Sequence, residues 1–152
     1  MTNIIYNQFK AQLADGTYRW NTQPDVDTAG SRVKFALMKT AADDVDDTAL
    51  DDVLDGKAYS SGSYTRPTLA SVAVVNDTTS NHAELNAADV EGLTIAQDST
   101  NSVVGIVVFI DPTGSADDDA CHPVCYMDVT NFVGKGDDVT FVWNAEGLMK
   151  LV

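Results

Sequence analysis

"RVKFALMK", residues Arg32–Lys39, sets the period from which the fold is read. Val33, Phe35 and Leu37 alternate with Arg32, Lys34 and Met38. Successive side chains of an extended chain leave opposite faces, so a period of two predicts a strand with one face buried. "SVVGIVVFI" (Ser102–Ile110) shows no such alternation and is apolar on both faces, which predicts a central strand covered from both sides. "DDVTFVW" (Asp137–Trp143) returns to period two, with Val139, Phe141 and Trp143 on one face.

Working outward from these strands, "KAYSSGSYTRPTLASVAVV" (Lys57–Val75) reads as extended, and Pro67 places part of it at a sheet edge or strand start. "HAELNAADVEGLTIA" (His82–Ala96) divides into two short extended pieces around Gly92, and "GLMKLV" after the turn "NAEG" gives a last strand. Only the first segment carries a clear helical period. In "TNIIYNQFKAQLADG", Ile5, Phe9 and Leu13 recur every four residues, with Thr2 or Asn3 as the cap and Gly16 as the stop. A second helical turn is expected in "DDTALDDVL", begun by Asp47. Seven or eight short strands between Gly, Asn and Asp turns predict a mainly β protein: an antiparallel β-sandwich or barrel-like fold with a short N-terminal α-helix. The expected organisation is a single domain over 1–152, with the helix in 1–16 and the β core in 31–152. No helix-length pattern separates the later strands, which disfavours a βαβ architecture.

Composition narrows the function. The 23 acids outnumber the 9 bases and leave a net charge of −14. Nucleic-acid binding needs clustered Lys and Arg against phosphate, and the bases here are scattered, so direct binding is not expected. No apolar run reaches the ~20 residues of a membrane span, and "MTNIIYNQFK" lacks the zones of a signal peptide. The expected protein therefore has neither a membrane partner nor a secretory route.

"DDDACHPVCYMDV" (Asp117–Val129) holds both cysteines and one of the two histidines. A zinc site needs about four ligands, and the remaining candidate, His82, is distant in sequence. In an extended chain the Cys121 and Cys125 Cα atoms lie ~13 Å apart, beyond the ~7 Å reach of a disulfide. Pro123 favours that extended form by restricting His122. The expected reading is a strand with Cys125, Met127 and Val129 on a core face and Val124, Tyr126 and Asp128 on the other. Cys121 would then precede this strand, and Asp117–Asp119 would form a wet loop before it. The acidic runs lack the glycine and spacing of an EF-hand and read as solvated loops. No catalytic motif is present, Asn76-Asp77-Thr78 matches a glycosylation sequon, and no catalytic, cofactor-binding or metal residue is assigned. Trp20, Tyr59, Tyr64 and Tyr126 could stack on sugars in a carbohydrate-binding module, although such aromatics more often lie in a core.

The order of segments resembles a family of small structural proteins of tailed bacteriophages. The resemblance rests on Trp20 after the first helix, Val33–Met38, Tyr64-Thr65-Arg66, the apolar strand Val104–Asp111, and Gly136–Leu148 as a closing hairpin. The chain departs from the family at Lys135-Gly136, where a double glycine is usual, and at Asp117–Asp119. The resemblance implies a non-enzymatic capsid decoration (cement) protein on the exterior of the phage head, made in the host bacterial cytoplasm. Its implied partners are the major capsid protein and further copies of itself, as a trimer by analogy. A neck, tail or head-fibre component is the alternative of the same class.

Overall fold

The computed structural model describes residues 3–16, 32–59, 64–79, 82–112, 114, 117–144 and 148–151. Nine strands, two α-helices and one 3-10 turn occur among them. In chain order they are β1 (Ile4–Ile5), α1 (Asn7–Ala14), β2 (Arg32–Met38), α2 (Leu50–Leu54), β3 (Ala73–Asp77), β4 (His82–Asn86) and β5 (Val90–Thr94). Then follow β6 (Val103–Asp111), the 3-10 turn Asp118–Ala120, β7 (His122–Phe132), β8 (Asp138–Phe141) and β9 (Met149–Leu151). The protein is mainly β and antiparallel throughout, and its sheets do not close into a barrel.

The principal sheet has the order β1-β7-β6-β2, and both of its faces are buried. Val33, Phe35 and Leu37 of β2 join Ile106, Val108 and Ile110 of β6 on one face. They pack against Leu85 and Met149 of the β3-β4-β9 sheet, Phe141 of the β5-β8 pair, and Phe9 of α1. Ala36, Met38, Val107, Phe109 and Tyr126 occupy the opposite face, beneath Leu50, Val53 and Leu54 of α2. β6 is thus the doubly covered central strand that its unbroken apolar run predicts. The outer edge of β2 is closed by isolated bridges to Ala58 and Thr68. There the Phe35 N–H donates to the carbonyl of Pro67, so this proline lies at an edge where its missing N–H costs nothing.

The structure moves several expected boundaries. Ile5, Phe9 and Leu13 do pack against one core, but Ile5 belongs to β1, which pairs with β7 through Ile4↔Tyr126 and Ile5↔Cys125. The helix starts at Asn7 with Tyr6, not Thr2 or Asn3, at the cap position, and ends before Gly16 at φ +78°. α2 begins at Leu50, not Asp47, with Asp51 and Asp52 in its first turn. Gly92 does not divide two strands; it sits inside β5 at φ +68°, where the register with β8 shifts. Val139, Phe141 and Trp143 share the expected core face. However, β8 pairs with β5 and β9 with β4, so Gly136–Leu148 is no hairpin among the described residues. Trp20 lies outside the described residues.

Candidate functional site

Four segments singled out by the sequence meet at one charged cluster. Lys34 comes from β2, Arg66 from the strip beside it, Asp111 from the end of β6 and Asp118 from the 3-10 turn. Lys34 Nζ donates to Asp111 Oδ2 at 2.7 Å, and the Gly114 N–H donates to Asp111 Oδ1 at 2.6 Å. Arg66 grips Asp118 with both terminal nitrogens, Nη2 lying 2.9 Å from Oδ2. Its guanidinium carbon sits 5.7 Å from the Phe109 ring centroid. The hydrogen bonds to Asp118 hold the Arg66 pKa above its usual range. Beside it, the Tyr64 hydroxyl accepts the Leu37 N–H at 2.8 Å. A cavity of about 220 Å³ is lined by Lys34, Thr65, Arg66, Phe109 and Asp111. Two cations face two carboxylates, and Asp111 is fully buried. Burying a carboxylate is tolerable only with such partners. The chemistry of the cluster is that of a clamp: it ties β2, β6, the Tyr64–Arg66 strip and the 3-10 turn together. Asp118 is therefore not simply a residue of a wet loop, whereas Asp117 and Asp119 are exposed.

The cysteine string is a strand. Cys121 is 0% and Cys125 3% exposed, and neither forms a disulfide. Burial pushes both thiols up to about 12, which removes the thiolate that nucleophilic or metal chemistry requires. Cys125, Met127 and Val129 pack on the core face expected of them. Val124 joins that core as well, instead of sharing the face of Tyr126. The register with β6 shifts between Val108↔Cys125 and Phe109↔Pro123. This bulge accommodates the proline inside a strand and turns Val124 inward.

The two histidines occupy different sheets. His122 opens β7, half-buried, with its pKa lowered by burial. His82 Nε2 lies 3.0 Å from Glu84 Oε1 on β4, both side chains buried. Among the described residues, no three or more His, Cys, Asp or Glu side chains are grouped to hold a metal ion. Tyr59 and Tyr126 are buried and Tyr64 is largely so, so these three do not form a stacking platform for sugars.

Sequence reasoning missed a groove of about 380 Å³ at the β1-β7 edge of the principal sheet. Its apolar lining includes Ile5, Ile106, Met127, Phe141, Trp143 and Met149, contributed by β1, β6, β7, the end of β8 with the residues just after it, and β9. Val142, also lining it, is 70% exposed. Among the described residues, Asp128 and Lys150 are the charged ones in the lining. Asp128 already accepts the Tyr126 hydroxyl at 2.8 Å. The alternation of each strand was legible, but which strand edges would converge was not. Acids gather instead on the far face of the sheet, around α2 and the 3-10 turn. There Asp119, ahead of burial and then Asp118, Asp52 and Asp55, raises the pKa of Asp51.

Comparisons with protein-family models, with curated proteins and with solved structures find no significant match to this chain.

Proposed function

We propose that this chain is a non-enzymatic structural protein of a bacteriophage virion, a decoration protein bound to the major capsid protein on the outside of the head. The observation that carries this reading is the separation of two surfaces on one sheet. An apolar groove with the exposed Val142 lies at one edge, and the mutually repelling carboxylates of α2 and the 3-10 turn lie on the opposite face. An apolar face suits attachment to a shell, and an acidic face suits exposure to solvent. The resemblance to phage structural proteins supports the same reading. Its Tyr64-Thr65-Arg66 and Val104–Asp111 segments contribute Arg66 and Asp111 to the charged cluster, whose pairs serve to hold the fold.

Attachment of many copies at symmetric lattice positions multiplies a modest contact into stable binding, with a trimer at threefold positions as the expected assembly. The test is quantitative mass spectrometry of purified virions, followed by adding the purified protein back to undecorated heads. A copy number matching the head lattice and saturable binding to bare heads are expected. A small fixed copy number would favour the neck, tail or fibre, and absence from heads would overturn the proposal.

A further inference from the structure

The groove is flanked by backbone as well as side chains. β1 pairs with only two of the eleven residues of β7, Tyr126 and Cys125. Among the described residues, no other strand pairs with that side of β7 from Met127 to Phe132. Immediately beyond β1, the Asn3 side chain takes the place of a strand. Its Oδ1 accepts the Asp128 N–H at 3.4 Å, doing weakly what a neighbouring backbone carbonyl would do. Met127 and Val129 line the groove below this edge.

Resting on the decoration reading, we infer that the occupant of this groove is an extended segment of a capsid subunit, added as a strand alongside β7 beyond β1. A row of backbone donors and acceptors is the complement of another extended chain and of little else. The period of two then carries alternate side chains of the incoming strand down towards Met127, Trp143 and Val142. Charge selects the partner. Among the described residues the lining holds one acid and one base, Asp128 and Lys150, beside a mostly apolar surface, which suits an apolar segment of little net charge. A second copy of this chain in the groove is the competing occupant, which the oligomeric state tests.

The experiment uses full-length protein and undecorated heads as the probe. Val142→Asp changes a side chain that is 70% exposed, so the fold is expected to survive, as thermal unfolding would verify. Binding to heads is expected to weaken by about tenfold or more, while Asp52→Asn on the acidic face binds like the native protein. Amide hydrogen exchange across Val129–Phe132 is expected to slow on binding, because strand addition protects edge amides and mere side-chain contact does not. Native binding with an unaffected Val142→Asp variant, or with unprotected edge amides, overturns the strand addition and leaves decoration standing. A native oligomer in sedimentation that Val142→Asp dissociates would reassign the groove to a contact between copies. Failure of the native protein to bind heads overturns the decoration reading and this inference together.

Discussion

The central strand pairing depends on one missing side chain. A Cβ built on Gly105 would lie 2.3 Å from Tyr126 Oη and 2.4 Å from its Cε2. The ring therefore lies flat across the glycine, with its hydroxyl on the Asp128 carboxylate. Burial, reinforced by that bond, pushes the Tyr126 pKa well above the usual range. Gly105→Ala is expected to cost about 1–3 kcal/mol, the usual range for overpacking a core, measured by denaturant unfolding. If the collision is the cause, the same substitution made in a Tyr126→Ala background costs much less, and the double-mutant cycle reports the difference. Equal costs in the two backgrounds would mean that the ring is elsewhere. Cys121 and Cys125 invite a second measurement. With both thiols buried and their pKa values near 12, iodoacetamide at pH 8 is expected to leave both unmodified in the native protein. Both should react promptly in guanidinium chloride. Rapid native labelling of Cys125 would contradict its place in the core.

At the scale of elements, periodicity was legible and hydrogen-bond partners were not. Ile5, Phe9 and Leu13 were visible as one stripe, and all three do face one core. The residue pattern could not reveal that Ile4 and Ile5 would pair with β7. β-branched side chains suit a strand, and pairing satisfies N–H groups that the first turn of a helix would leave open. The bulge opposite Pro123 was hidden for a related reason: it depends on which residue of β6 the proline meets. The pairing of β8 with β5 and of β9 with β4 is also non-local, whereas the resemblance implied a closing hairpin. His122, at the start of β7, gives this strand a testable acid response. Burial lowers its pKa below the ordinary value of 6.5, so the unfolded chain takes up the proton first as pH falls. Its contribution is intact above about 6.5 and is lost as pH drops through the interval down to the folded value. Stability measured by urea unfolding from pH 7.5 downwards should therefore fall less steeply in His122→Gln than in the native protein. Parallel profiles would show that another group governs the acid limb.

For the whole molecule, the acidic composition resolves into carboxylates that hold the fold and carboxylates that strain it. Asp111 and Asp118 meet Lys34 and Arg66, partners 77 and 52 residues away in sequence, which is why the runs looked uniformly solvated. At the surface, Asp43 is held below its usual range by its bond to Lys57. Asp51 is the opposite case. It stands in the first turn of α2, where a helix favours an acid, yet its pKa is raised, first by Asp119. This repulsion acts across the contact between α2 and the 3-10 turn. A carboxyl with a raised folded-state pKa adds stability only when protonated, and that contribution disappears as pH rises through the folded value. At pH 7 the charged Asp51 is accordingly a burden. Asp51→Asn should melt at a higher temperature than the native protein in dilute buffer. The advantage should shrink as salt shortens the screening length from ~30 Å at 0.01 M to ~3 Å at 1 M. It should also shrink at constant low salt as the pH is lowered into the range where the native carboxyl takes up its proton. The native protein itself is expected to gain thermal stability with added sodium chloride, since its net charge of −14 opposes compaction. A lower melting temperature for Asp51→Asn in dilute buffer would show that the helix terminus, not the acidic face, dominates at this position. A gain that persists undiminished in molar salt would remove charge repulsion as its cause.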